Sequence, residues 1–454
     1  MTHTFDRRGF LGLAGLAVGT AALSACGSNT SGSSSSSSAA GSASASASAS
    51  ASGSASASAA ASTPAAISSK NPARADADLV IWCDNDRYPV IKKYADQFAS
   101  DNGISAAVQV STDVRAQFTT AAKVGKGPDV IVGAHDWLGQ FVQDGTVAPI
   151  QLDPSVASQF APTAIAATKF NGNTWGVPYA IENLGLVRNT ALAPDAPKTV
   201  DELLAAGNKA VKAGKAKQAF VFQVSTVGDA YYMYPWLHAY GGGIFGTKAN
   251  GDYDPSKVIV NNAGSIQGAT EIQKLAQMKL LSTSIDYNAA NLMFQKGQVP
   301  FIVTGPWSIA AFKAAGIKYA ISNLPTPPGG GTMTPFLGIQ MFYVAKNAKN
   351  VAFAQEFVTK TMTGKDVQIA LFEVGQRPPA LTAAYNEVAA SNPDIKAWYE
   401  AGKGALPMPN IPAMNAVWAP LGQAEADIVS GKSQPAARMN AAAAEITKAI
   451  KSSS

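Results

Sequence analysis

Cysteine is nearly absent from this sequence: Cys26 and Cys83 are the only two in 454 residues, which excludes a disulfide framework. Histidine is confined to His3, His135 and His238, too few and too scattered for a zinc or iron ligand pattern. Charge is sparse and nearly balanced, with 35 basic against 30 acidic side chains. No long basic run stands beside an aromatic platform, which excludes a nucleic-acid partner. The sequence also lacks a P-loop, a Gly-x-Ser-x-Gly elbow and any Cys or His metal spacing. What remains is a chain too long for one ordinary domain, favouring packed units with sizeable cores, either as a two-lobed binder or as an enzyme.

The N-terminus reads as an export signal over residues 1–25. Arg7-Arg8 supplies the charged region, and residues 9–22 form an apolar stretch too short to span a membrane stably. Arg7-Arg8 followed by Gly9-Phe10-Leu11 resembles a twin-arginine signal, yet Asp6 replaces the usual hydroxyl residue, leaving general secretion open. Leu23-Ser24-Ala25-Cys26 then looks like a lipobox, in which the Cys26 thiol takes the lipid. With Cys26 acylated, Cys83 has no partner and reads as a small buried hydrophobe within its apolar run. Residues 27–66 are almost wholly Ser, Ala and Gly and cannot bury enough apolar surface to offset chain entropy. Residues 26–77 are therefore expected to be a lipid-anchored tether reaching out from the extracytoplasmic face of the membrane.

The folded part is expected to open with a strand at residues 79–82, followed by a helix with Val90, Ile91, Tyr94 and Phe98 on one face and a stop at Asn102-Gly103. A strand at 104–110, a helix opened by Thr112 or Asp113, and the run 129–132 complete a βαβαβ pattern. Such alternation predicts an α/β fold whose ligand sits outside the carboxyl ends of the strands. The pattern returns with a strand at 219–224, a helix face of Ile272, Leu275 and Ala276, and the run 299–303, where Pro300 marks an edge or a strand start. The last third, from Val351, is helix-rich and ends in an alanine-rich helix over 436–450.

Several stretches stand out along the folded part: Leu79-Val80-Ile81-Trp82, Gly127-Pro128-Asp129-Val130-Ile131 with Ala134-His135-Asp136, and Asn171-Gly172 with Pro178, Glu182 and Asn189. Asn261-Asn262-Ala263-Gly264, Gly305-Pro306-Trp307, Pro335-Phe336-Leu337-Gly338 and Met408-Pro409-Asn410-Ile411-Pro412 follow. Taken in order, they are similar to the maltose-binding proteins of bacterial ABC importers, and the resemblance spans about 78–451. It implies a periplasmic-binding-protein-like fold of two lobes, each a mainly parallel sheet flanked by helices, with the ligand cleft between them. Its lobes would comprise 78–182 with 328–390 and 183–327 with 391–454, and the chain would cross near 180–185, 324–330 and 389–393. The implied protein is a monomeric, cofactor-free carrier that delivers a neutral, maltodextrin-like oligosaccharide to membrane permease subunits.

A neutral sugar presents hydroxyls in its plane and C–H faces above and below, so its site needs carboxylates or amides at the rim and aromatic plates as floor and roof. By resemblance the polar partners are Asp86, Arg87, Asp136, Glu182 and Asp229; read without it, each is a solvated charge or helix cap. The aromatic partners are Tyr231, Tyr232, Trp307 and Trp418, beside Met408; the bland reading of each ring is core packing. The sequence departs from the family at Gly133 (usually tryptophan), Trp137 (usually arginine), Arg115 (usually a carboxylate), and Ala419 and Gly422 (usually tyrosine and arginine). These departures bear on which sugar is bound, trehalose being one alternative. Two further readings compete: a ferric site at Tyr231-Tyr232, and a secreted glycosidase using Asp136, Glu182 or Asp229 as its acid and nucleophile.

Overall fold

A computed structural model describes residues 73–249 and 252–453. Arg7-Arg8, Cys26 and the Ser/Ala-rich tether lie outside the described residues. The described chain forms a two-lobed α/β fold. Its opening follows from local rules. The strand Leu79–Cys83 is buried along its whole length, matching its unbroken apolar run. The helix Tyr88–Asn102 buries Val90, Ile91, Ala95 and Phe98 at helical spacing and ends where Gly103 takes φ 64°, a left-handed conformation that glycine adopts without steric cost. Asp113 caps the helix Val114–Lys123 by accepting from the Ala116 amide. Cys83 is buried, and loss of hydration pushes its thiol up to about 12, consistent with an inert packing role.

The first lobe is built on a 6-stranded sheet. Ala106–Val110, Leu79–Cys83 and Val130–Ala134 run parallel, whereas Gly338–Ala345 runs antiparallel to Val130–Ala134, Val147–Ala148 and Gly176–Glu182. The second lobe centres on Gly185–Asn189, antiparallel to Phe301–Thr304 on one side and Tyr319–Ser322 on the other. The sheets are therefore mixed rather than mainly parallel. The reversed strands are Gly338–Ala345 and Gly185–Asn189. They start at the cleft, where the other strands end: Gly338 pairs with Glu182, Gln340 with Ala134, and Gly185 with Thr304.

The segment 219–224 also differs from the expected strand. It makes a single parallel bridge, Val221 to Ile302, and then turns away, because the amides of Val224 and Ser225 donate to the Ile285 carbonyl instead of to the sheet. Pro300 directly precedes Phe301–Thr304, where its missing N–H costs the ladder nothing.

Separate cores hold the lobes. One gathers Leu79, Ile81, Phe98, Val177, Phe342, Phe357 and Leu371; the other gathers Leu186, Phe222, Trp236, Ile272, Phe301, Leu421 and Met439. Each such fully buried large side chain contributes roughly 1.5–3 kcal/mol of transfer free energy. The C-terminal helix Pro435–Ser453 joins the second core through Met439, Ala442, Ala443 and Ile446, a small-residue stripe at helical spacing. Met333 and Phe336 still belong to the second core, with Phe336 stacked on Tyr234 at 3.5 Å between ring centroids. The segment just before them is tied to the same elements, the Tyr240 hydroxyl donating to the Pro328 carbonyl and the Gly331 amide to the Ala239 carbonyl.

Candidate functional site

Strand ends and short helical turns bring the cleft together. Asp136 sits in the turn His135–Trp137, just past the strand Val130–Ala134. Its carboxylate is buried; Oδ2 accepts from the Trp418 indole N–H at 3.1 Å and lies 3.5 Å from the Arg115 guanidinium. Trp137 lies against Gly133 so closely that a Cβ there would meet its ring at 1.8 Å. The Trp307 ring lies against Gly305 in the same way, at 2.2 Å from a built Cβ. In both lobes, then, a glycine at a strand end lets an indole lie flat on the backbone and face the cleft.

Glu182 ends the strand Gly176–Glu182. Its Oε1 accepts from Gln340 at 2.7 Å and its Oε2 from Arg377 at 2.5 Å. The Arg377 guanidinium also lies 5.6 Å from the centre of the Trp307 ring, within cation–π range. Together with Tyr231, Met408, Asn415 and Ala419, these residues line a cavity of about 560 Å³, within the size range of small-ligand sites. Arg115 Nη2 and the Tyr231 hydroxyl are buried there without a hydrogen-bond partner. Burial, and then the Glu182 charge, raise the Tyr231 hydroxyl well above its ordinary pKa, so it stays a protonated donor.

Beneath the cleft, His135 is fully buried. The Ile339 amide donates to its Nδ1 at 3.1 Å, leaving Nε2–H to donate to the Met408 carbonyl at 3.0 Å. Desolvation lowers its pKa, favouring the neutral ring that this bonding needs.

Of the residues singled out in the sequence, Asp136, Glu182, Tyr231, Trp307, Met408 and Trp418 line this cavity. Asp86 is exposed outside it. Arg87 is buried and pairs with Asp84, Tyr179 and Gln340, reaching Glu182 only through Gln340. Asp229 caps the helix Ala230–His238, accepts from Gln223, and donates its own amide to Glu425. Tyr232 turns inward, its hydroxyl 3.5 Å from that of Thr304, whereas Tyr231 lines the cavity. Gly422 has a packing reason: it lets the helix Trp418–Val429 approach the loop at Val227 and Gly228, where a Cβ on Gly228 would meet its carbonyl at 1.7 Å.

Sequence reasoning missed Arg377 and Asn415. Arg377 follows Gln376, a left-handed helix stop at φ 54°, and the sequence there signals only a turn before Pro378-Pro379.

Two α/β lobes around a cleft walled by indoles and ion pairs define a protein built to enclose a small polar solute. Residues 93–401, more than half of the chain, match the family described as bacterial extracellular solute-binding protein, and the chain belongs to that family. It is 28% identical over 388 residues to the galactooligosaccharide-binding protein of Bacillus subtilis (strain 168), covering 84% of this chain and 91% of that protein. It is 27% identical over 382 residues to a maltooligosaccharide ABC transporter solute-binding lipoprotein of Streptococcus pneumoniae (strain ATCC BAA-255 / R6), covering 82% and 89%. A maltotriose-binding protein of Pyrococcus abyssi (strain GE5 / Orsay) is 28% identical over 351 residues, 75% of each chain.

Proposed function

We propose that this protein captures a neutral oligosaccharide outside the cytoplasmic membrane and delivers it to the permease subunits of an ABC importer, acting as a monomer anchored through Cys26. The observation that carries the reading is the composition of the cleft wall. Each cation is set against a carboxylate, Arg115 against Asp136 and Arg377 against Glu182, so the lining is charge-compensated while presenting Trp137, Trp307 and Trp418. A charge-compensated wall favours no net charge on the ligand, and indole faces complement the C–H faces of a pyranose. The bound relatives named above take galactooligosaccharides, maltooligosaccharides and maltotriose, which share the oligosaccharide class and differ in the sugar. A glucose-containing ligand, whether a maltodextrin or trehalose, follows from the resemblance, with Asp136 and Glu182 accepting its hydroxyls.

The same wall argues for binding rather than hydrolysis. Both oxygens of Glu182 are already bonded to protein donors, and Asp229 is engaged in capping a helix, away from the cavity. The lobes, 78–182 with 328–390 and 183–327 with 391–454, are proposed to close on the ligand about their connecting segments.

Titration of tryptophan fluorescence with maltodextrins, trehalose and galactooligosaccharides tests the reading. A dissociation constant on the order of 1 μM, about 8 kcal/mol, is expected for one series, moderate enough for release to a permease. Failure of every neutral sugar beside tight binding of an acidic or metal ligand would overturn it. For the anchor, Cys26→Ala should release the protein from membranes; a variant that stays membrane-bound refutes lipidation there.

A further inference from the structure

The helix Trp418–Val429 carries Trp418 to the cleft, and the helix Ala230–His238 carries Tyr231. The two pack together, and the loop before the second comes so close that a Cβ on Gly228 would strike the Gly422 carbonyl. Glu425 lies in this contact, two turns after Trp418 and on the same face of its helix. It is fully buried, and its Oε2 accepts at 2.6 Å from the amide of Asp229, the residue that caps the helix Ala230–His238. Its Oε1 has no hydrogen-bond partner.

Among the described residues no cation pairs with it. The helix Ala230–His238 brings the neutral Tyr231, Tyr232 and Tyr234, with His238 at its far end, and the Asp229 carboxyl is a second negative group beside Glu425. The helix Ala263–Gln277 brings Glu271, bonded to Lys274. The helix Pro435–Ser453 brings Arg438, held by Asp427 and Glu445, and later Lys448 and Lys451, which line a surface groove. The turn Pro412–Ala416 has no titratable side chain. Of the two carboxyls, Asp229 accepts from the Tyr231 and Tyr232 amides and from Gln223, at a helix N-terminus where negative charge is favoured. Glu425 has a single donor. Two adjacent buried carboxyls with unequal donors divide the roles: the better-bonded one takes the charge and the other keeps the proton. Burial lifts the Glu425 carboxyl well above the ordinary carboxylate range; the Asp229 amide works against this and the Asp229 charge adds to it. Burial raises Asp229 as well, but its three donors oppose the rise.

We infer that Glu425 is a positioning residue of the cleft, a neutral carboxylic acid whose bond to the Asp229 amide sets the helix carrying Trp418 against the helix carrying Tyr231. An ionised Glu425 would sit in a contact closed to solvent and beside a like charge, so losing the proton loosens the contact. The unfolded chain releases this proton at about pH 4.3, and the folded chain retains it to higher pH. The stability it contributes is therefore full below that value and is lost as pH rises toward the folded-state pKa. Its part in sugar binding rests on the oligosaccharide reading.

The test compares the full chain with Glu425→Gln, which keeps the acceptor and cannot ionise, and with Glu425→Ala, which removes the acceptor. In chemical denaturation between about pH 5 and 8, the unfolding constant of the wild type relative to that of Glu425→Gln should rise by up to about tenfold per pH unit. Contributions common to both proteins, that of His135 among them, cancel in this ratio. In calorimetry with maltodextrins and galactooligosaccharides, well below the melting transition, Glu425→Ala should bind about tenfold more weakly, the worth of one hydrogen bond. Glu425→Gln should restore the affinity to within about twofold of the wild type. Glu425→Leu, which fills the space without an acceptor, takes the place of the alanine variant if that one fails to fold. Parallel pH profiles for the wild type and Glu425→Gln overturn the retained proton. Full affinity in the variant lacking the acceptor, beside a lowered melting temperature, shows a purely structural role and overturns the positioning. If no sugar binds the wild type, the carrier reading fails and the positioning role with it, while the denaturation series still decides the proton.

Discussion

At the scale of single residues, the cleft pairs each charged group with a partner before any ligand arrives. Trp307 is the ring most firmly positioned, held flat by Gly305 on one side and approached by Arg377 and Tyr231 on the others. Trp307→Ala is expected to cost about 2–4 kcal/mol of sugar binding, as central aromatic anchors do, with little change in melting temperature. Full affinity in the variant, read by calorimetry, would remove Trp307 from the site. Asp136 has a double role, since it holds Arg115 as well as the Trp418 indole. Asp136→Asn should therefore weaken neutral-sugar binding through a lost charge-assisted acceptor and leave Arg115 uncompensated. The double variant with Arg115→Gln should recover part of the loss. Additive losses in the double-mutant cycle would show that the pair does not act together.

At the scale of elements, the turn His135–Trp137 joins the strand Gly338–Ala345 to the segment around Met408 through one imidazole. The segment is also stitched by the parallel bridge between Leu337 and Pro407. Protonated His135 would present an N–H to the Ile339 N–H, replacing an attraction by a repulsion. The buried ring has its pKa lowered, so the unfolded chain binds the proton first as pH falls through about 6.5. The stability it contributes is present above that value and lost as pH falls toward the folded-state pKa. Between pH 7 and 5 the wild type should lose stability with a slope of up to about 1.4 kcal/mol per pH unit from this group. In His135→Asn the slope over that window should flatten even if the protein is weaker throughout. Equal slopes by chemical denaturation at several pH values would assign the pH dependence elsewhere.

At the scale of the whole molecule, separate cores with few connecting segments suit a hinge. The indoles of the cleft wall pack with different clusters: Trp137 with Trp82, Phe118 and Phe141, and Trp307 and Trp418 with the second core. A ligand that touches both walls favours the closed arrangement by the difference in its affinity for the two. Small-angle scattering with and without saturating sugar should show a smaller radius of gyration in the complex. An unchanged radius would count against closure as the signal to the permease.

The sequence by itself determined the elements governed by nearby residues. The buried run Leu79–Cys83, the Gly103 stop, the Asp113 cap and the final helix each follow from spacing and backbone preference, and the structure reproduces them. Resemblance marked Asp136 and Glu182, and strand-end placement together with resemblance marked Trp307; all three line the cavity. Tertiary structure decided what depends on direction and distant partners. Adjacent Tyr231 and Tyr232 part company because successive helical side chains point about 100° apart, one to the cavity and one to Thr304. Arg87 turned inward because Asp84, Tyr179 and Gln340 together could satisfy a buried guanidinium. Arg377 reached Glu182 across 195 residues of sequence, a pairing set by how the chain returns to its first lobe and by no local pattern.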